Sequence, residues 1–214
     1  MGFENLVFSR IDNKEKVLRK KKLELEFFWR PYFSYDKGRS KIFTHITSDH
    51  YNPPSSLKDL VQNVDFIWNI DQKAKDLINW LIDSKNLYRT NHIMILLGDD
   101  FTFKSPNSAY LSVERIIDYI NNHPEYSKIT NLFYSNTETY FNALHQSDVI
   151  FPSYNDLDFY PYSDGKKIYW TGFFTSRPYL KRLTRIAGSY LASASKYYVE
   201  ELIDRKINNK ISHE

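Results

Sequence analysis

The chain of 214 residues contains no cysteine. That excludes disulfides, thiolate nucleophiles and Cys-based zinc sites, and it fits a reducing compartment without requiring one. Glycine is scarce, at six residues. Neither a Gly-rich phosphate loop nor a Gly-x-Ser-x-Gly elbow occurs, so nucleotide binding and serine-hydrolase chemistry have no support. No apolar stretch approaches the roughly 20 residues needed to span a bilayer, so no membrane partner is expected. An excess of one charge is also missing. With 29 basic and 26 acidic residues the formal net charge is +3, which gives no electrostatic reason to expect a nucleic-acid partner. The opening Met-Gly-Phe-Glu-Asn has no basic n-region and no apolar h-region, so no secretory signal is expected in the chain as written. Leu6 stands where a myristoylation signal needs Ser or Thr.

What is present is aromatic. Phe, Trp and Tyr make up 17% of the chain, with 17 Tyr, which suits a sugar-binding cleft and equally suits a Tyr-, Asn- and Lys-rich coding bias. Short β-branched and aromatic runs alternate with helical patterns, the signature of βα units and a parallel sheet. Strands are predicted at residues 6–8, 42–46, 92–97 and 129–134. The run His92-Ile93-Met94-Ile95-Leu96-Leu97 is the strongest of them, a continuous apolar stretch of the kind a doubly buried parallel strand needs. Asp12 or Asn13 can cap a charged helix running to about Trp29. Further helical periodicity covers residues 57–64, 72–84 and 109–122. Another helix opens at residues 135–138, with Asn136 or Thr137 as cap and Tyr140, Phe141 and Leu144 facing the core. Residues 149–162, broken by Pro152 and Pro161, read as loop with at most one short strand.

Beyond Arg177-Pro178 the residues Leu180, Leu183, Ile186, Tyr190, Leu191, Ala194 and Tyr198 form an apolar helical stripe, the first arm of a helical bundle in a second domain, with a frayed tail from Asn208. Four strands are too few to close a barrel, which takes about eight, so an open edge and an uncovered face are expected. The pattern is therefore that of part of a larger domain.

Gly98-Asp99-Asp100-Phe101 directly follows the most apolar predicted strand, at the end where α/β folds carry their sites. One of the two carboxyl groups can enter a pocket while the other turns away, if the segment is extended. A carboxyl group placed so can protonate a glycosidic leaving oxygen, and it can equally be a turn residue. The basic run Arg19-Lys20-Lys21-Lys22 is flanked by Glu15, Glu24 and Glu26 and reads as a solvated, salt-bridged face. His45, Asp49 and His50 lack any zincin spacing and read as hydrogen-bonded residues rather than metal ligands.

Eight segments then carry a resemblance: Met1-Gly2-Phe3, Ser9-Arg10-Ile11-Asp12, Phe28-Trp29-Arg30, Tyr51-Asn52-Pro53-Pro54, Tyr88-Arg89-Thr90-Asn91, Leu97-Gly98-Asp99-Asp100-Phe101, Tyr162-Ser163-Asp164-Gly165 and the run from Trp170 to Pro178. In their order and spacing the chain resembles lysosomal-type α-mannosidases of glycoside hydrolase family 38 over nearly its whole length. The resemblance implies an α/β fold, here an incomplete part of a seven-stranded α/β barrel over residues 1–170. It implies that residues 171–214 start the helical middle domain, as the first helix of a three-helix bundle. It further implies that Asp100 is the general acid/base, that Trp170 and Tyr51 line the mannose pocket, and that Arg10 lies near the nucleophile.

The family binds zinc through an early His-x-Asp, through the Asp of Asp-Pro-Phe-Gly-His-Ser, which is also the nucleophile, and through a later His-His-Asp. None of these motifs occurs in this sequence, so it is expected to hold an acid/base without nucleophile or metal, as if it began just past one motif and ended before another. The implied partner is an α-mannosyl glycan, together with the missing parts of a split enzyme. The implied location is the lysosome or secretory route, at odds with the missing signal. Two functions are consistent with this: a segment of an enzyme that releases terminal α-mannosyl residues, or a non-catalytic remnant used for weak glycan binding or association.

Overall fold

The computed structural model describes residues 3–62 and 69–211. The chain divides into two compact units, Met1–Ile168 and Tyr169–Glu214. The larger is built on β1 (Asn5–Phe8), α1 (Asn13–Lys22), β2 (Glu26–Arg30), α2 (Phe33–Asp36), β3 (Ile42–Ile46), α3 (Ser55–Gln62), α4 (Ile70–Lys85), α5 (Pro106–Asn122), a 3-10 turn (Tyr126–Lys128), α6 (Thr137–His145) and β4 (Ser153–Asn155). The four strands form one mixed sheet in the order β1-β3-β2-β4. β1 runs parallel to β3, β2 antiparallel to β3, and β4 parallel to β2. The fold is thus α/β, with a sheet that is not wholly parallel as the sequence pattern had implied.

Helix α1 starts where expected. Asp12 Oδ1 accepts the N–H groups of Lys14 and Glu15 at 2.9 and 3.2 Å, satisfying donors that have no partner inside the helix. It does not run on to Trp29. Leu23 turns left-handed at φ 56° and its N–H closes on the carbonyls of Arg19 and Lys20. The next residues become β2 because their aromatic rings divide between two faces. Phe27 and Trp29 join the cluster of Ile11, Leu25 and Ile46, whereas Phe28 packs with Phe43 and Phe141. Alternation of period two cannot be buried by a helix.

The basic run is also not wholly solvated. Arg19 is buried, its guanidinium 4.2 Å from the centre of the Phe27 ring and 4.5 Å from that of Tyr154, with Glu15 at 2.7 Å as its ion-pair partner. The other three side chains of the run are intermediate or exposed.

Two predicted strands are not strands. Residues 92–97 pack Ile93, Ile95 and Leu97 on the cluster formed by α3, α4 and α5, Ile93 also on the cluster around Ile11, and Met94 on the cluster around Phe43, but they join no ladder among the described residues. Side-chain packing half-buries the apolar run without main-chain pairing. Residues 129–134 are held by a side chain instead of a neighbouring strand. The Asn121 amide donates to the Leu132 carbonyl at 2.7 Å and accepts its N–H at 2.8 Å. Helix α3 covers most of the expected 57–64 segment, of which residues 63 and 64 lie outside the described residues. Helix α6 has Asn136 as its cap, accepting the Thr139 N–H at 2.8 Å, and buries Tyr140, Phe141 and Leu144.

At the centre of the sheet Glu26 and His45 are both 1% exposed and share a 3.0 Å hydrogen bond, with Tyr140 Oη donating to the same carboxylate oxygen at 2.8 Å. His45 stacks on Tyr88 with ring centres 5.2 Å apart. Glu26→Ala would remove the carboxylate that the imidazole and the Tyr140 hydroxyl share, leaving them only their longer contact with each other at 3.4 Å and that of the hydroxyl with the His92 carbonyl at 3.5 Å, at a cost of about 1–3 kcal/mol. Urea unfolding should show the midpoint falling with an unchanged slope. A midpoint equal to the parent's would contradict this account.

The smaller unit contains α7 (Gly172–Thr175) and α8 (Pro178–Ile211). Lys181 Nζ donates to the carbonyls of Gly172 and Phe173 at 2.8 and 2.7 Å, closing the end of α7. Leu180, Leu183, Ile186, Tyr190, Leu191 and Tyr198 of the apolar stripe are all exposed. The helix continues through residues 208–211, where fraying was expected, and residues 212–214 lie outside the described ones.

Candidate active site

Gly98 fixes the geometry around Asp100. Its N–H donates to the Tyr51 carbonyl at 2.9 Å, and a Cβ added to it would stand 2.4 Å from that oxygen and 2.8 Å from Tyr51 Cδ2. Only a residue without a side chain lets the two segments approach so closely. Past Gly98 the chain is not extended as expected, since Asp99 has φ 106° and Phe101 φ 60°. The two carboxylates diverge because of this turn. Asp99 folds back, accepting the Asp100 N–H on Oδ1 at 2.7 Å, with Lys58 Nζ 3.5 Å from its Oδ2. Asp100 is exposed and accepts the Tyr51 hydroxyl on Oδ1 at 2.9 Å. The Asp100 hydrogen bond and charge push the Tyr51 phenol above its ordinary pKa, while Arg10 acts in the opposite direction.

Arg10 follows β1 and lies over the Tyr162 ring, 5.6 Å from its centre. Tyr162 belongs to a segment tied down beside Arg10 by buried Ser163. The Ser163 hydroxyl donates to Asp12 Oδ2 at 2.9 Å and accepts the Asn13 N–H at 2.9 Å. Asp12 thus caps α1 with one oxygen and holds this segment with the other. Asp164 Oδ1 lies 3.2 Å from His50 Nε2, which is also 3.1 Å from Tyr162 Oη. The hydrogen bond with His50 holds the Asp164 carboxyl below the usual range, with further help from Tyr162 and Arg10. Arg10, Tyr51 and Asp100, three of the four residues singled out from sequence, therefore belong to one constellation in the larger unit. Trp170 is in the smaller unit, where its ring stacks on Phe173 at 5.6 Å and is 37% exposed.

Sequence reasoning passed over Gly98 as a strand terminator, His50 as a rejected metal ligand, and Ser163 and Asp164 as mere landmarks. No local signal could have paired Ser163 with Asp12 across 151 positions. A cleft of about 330 Å³ lies on the neighbouring stretch, between residues 47–55 and Trp80, Tyr88, Met94 and Leu96, and neither Tyr51 nor Asp100 lines it. Among the described residues no three His, Asp or Glu side chains converge as a metal would require, so the residues present do not make a zinc site. Also among these residues, no helix is long and apolar enough to cross a membrane.

Asp100 is thus an exposed carboxylate hydrogen-bonded by a phenol, on a loop outside the sheet. Comparison with known proteins defines the class. Residues 1–165 match the N-terminal domain of the glycosyl hydrolases of family 38, and the chain belongs to that family. It is 31% identical to the lysosomal alpha-mannosidase of Mus musculus over 97% of its own length and 21% of that protein's. It is 32% identical to the lysosomal alpha-mannosidase of Homo sapiens over 89% of its length and 20% of that protein's. To an alpha-mannosidase of Arabidopsis thaliana it is 33% identical over 90% of its length and 19% of that protein's. The chain thus spans about a fifth of the length of the relatives it matches.

Proposed function

We propose that this chain is the segment of a retaining α-mannosidase that carries the general acid/base, Asp100, and acts on terminal α-mannosyl residues of glycans. In this reading residues 1–170 belong to the catalytic α/β barrel and residues 171–214 begin the helical middle domain, so that the exposed stripe of α8 is a bundle face. The observation that carries the reading is the Tyr51–Asp100 hydrogen bond at 2.9 Å, made at the Gly98 crossing beside Arg10, on a chain of this family. Tyr51 and Arg10 would shape the polar side of the mannose pocket; Trp170, in the smaller unit, carries by resemblance an indole of the kind that stacks on a sugar's C–H face. By the family's resemblance the glycan would be met in the lysosome or secretory route.

Asp100 can give a proton to the departing glycosidic oxygen and take one from the water that follows. That is half of the chemistry. A second carboxylate about 5–5.5 Å away is needed as nucleophile; the family motif that carries it does not occur in this sequence, and among the described residues no three His, Asp or Glu side chains converge as the family's zinc would need. The 214-residue chain alone should therefore release no aryl alcohol from an aryl α-mannoside above the buffer rate, and should retain no stoichiometric zinc after dialysis. Joined to the flanking segments of a close relative, it should turn over. Turnover or stoichiometric zinc with the short chain would refute the partial-site reading, and a well-folded but inert chimera would refute the α-mannosidase reading. Binding of α-mannosides by the short chain, together with an inert chimera, would favour the non-catalytic alternative.

A further inference from the structure

The constellation contains three side chains to which no role has been attached: His50, Tyr162 and Asp164. We propose that His50 and Asp164 are positioning residues that fix the Tyr162 ring and, through it, hold the Arg10 guanidinium beside Tyr51 and Asp100. The inference rests on the reading of Asp100 as the acid/base.

The geometry is a chain of dependencies. A guanidinium over an aromatic face is attracted to the ring's negative quadrupole, but the contact directs the cation only if the ring itself is fixed. Tyr162 is fixed at its far end, where its hydroxyl lies 3.1 Å from His50 Nε2, and that nitrogen is in turn 3.2 Å from Asp164 Oδ1. At its near end the ring is fixed through Ser163, whose N–H meets the Ile11 carbonyl at 3.4 Å and whose hydroxyl meets Asp12. Tyr162 is thus clamped on both sides, directly against the turn that carries Arg10. The charge of Arg10 favours the ionised forms of Tyr51, Tyr162 and Asp164 alike, so the guanidinium held over the Tyr162 ring is within electrostatic reach of all three. His50 is also covalently adjacent to Tyr51, so the same imidazole steadies the segment that presents the phenol.

The test uses the 214-residue chain and needs no turnover. The ring current of Tyr162 should displace the Arg10 Nε–Hε proton resonance relative to its position in Tyr162→Leu. His50→Ala and Asp164→Ala should each remove at least half of that displacement, and Asp164→Asn, which keeps shape and acceptor, should keep most of it. If Asp164→Ala loses its folded spectrum, His50→Gln decides, with the same expected loss. A parent displacement that survives both His50 variants and Asp164→Ala would overturn the inference, as would a parent in which Tyr162→Leu changes nothing at Arg10. In the completed enzyme Asp164→Ala should lower kcat about tenfold and move KM less. An inert completed enzyme would sink the proposed function while leaving the Arg10 resonance to judge the positioning role.

Discussion

Replacing Asp100 by Asn in an enzyme completed with the flanking segments of a close relative should lower kcat on an α-mannosyl glycan by roughly 10²–10⁴-fold, the range general acid catalysis contributes. Asparagine keeps the shape and can still accept the Tyr51 hydroxyl that now bonds Asp100 Oδ1 at 2.9 Å, but it carries no transferable proton. The loss should shrink on an aryl mannoside whose leaving group is acidic, because such an oxygen departs without being protonated. Asp99→Asn should cost far less. Asp99 spends Oδ1 on the Asp100 N–H at 2.7 Å, a contact an asparagine oxygen can make, and Asn tolerates positive φ better than most residues. Steady-state kinetics of both variants on both substrates checks this. An Asp100→Asn enzyme as active as its parent, or an Asp99→Asn enzyme as crippled as Asp100→Asn, would reverse the assignment.

Gly98→Ala should destabilise the larger unit by about 1–3 kcal/mol and detach Tyr51 from Asp100. The new methyl would stand 2.4 Å from a backbone oxygen, which cannot swing aside as a side chain can, so the segment bearing Tyr51 must move as a whole and lose the Gly98 N–H bond at 2.9 Å. The same substitution at Gly188, within α8, meets nothing within 4 Å and should stabilise that helix by roughly 0.5–1 kcal/mol, because alanine is the better helix former. Opposite signs for one chemical change separate close approach from backbone propensity. Chemical denaturation of the two variants, with amide exchange to resolve the two units, reads both. Equal effects of the same sign would mean that the Tyr51 crossing is not what Gly98 is for.

Much of the proposed site could be named from sequence because it lies in short contiguous motifs. Asp100, Tyr51 and Arg10 each stand in a run distinctive enough to carry a family resemblance, and the structure gathers all three into one constellation. The residues that support them were not legible. Ser163 meets Asp12 across 151 positions and Asp164 meets His50 across 114, and no local pattern encodes such pairings. Gly98 was visible as a glycine, but that it must admit Tyr51 is a fact of two segments crossing.

The same division runs through the fold. Sequence alone determined much that depends on residues within a turn or two of each other: the starts of α1 and α6 to within one residue, with the structure choosing Asp12 over Asn13 and Asn136 over Thr137 as caps, the inward face of α6, the long helix after Pro178, and the positions of β1 and β3. Tertiary structure decided whatever depends on a partner far along the chain. The aromatic run of β2 read as the end of a helix until two clusters claimed its alternate side chains. Residues 92–97 half-bury their apolar side chains without a ladder, and residues 129–134 take a side-chain amide from Asn121 in place of a neighbouring strand. The physical reason is that a helix satisfies its own main chain within four residues, so its signals are local. An extended segment leaves its N–H and C=O groups to be met from elsewhere, and what meets them is settled only when the whole chain has folded.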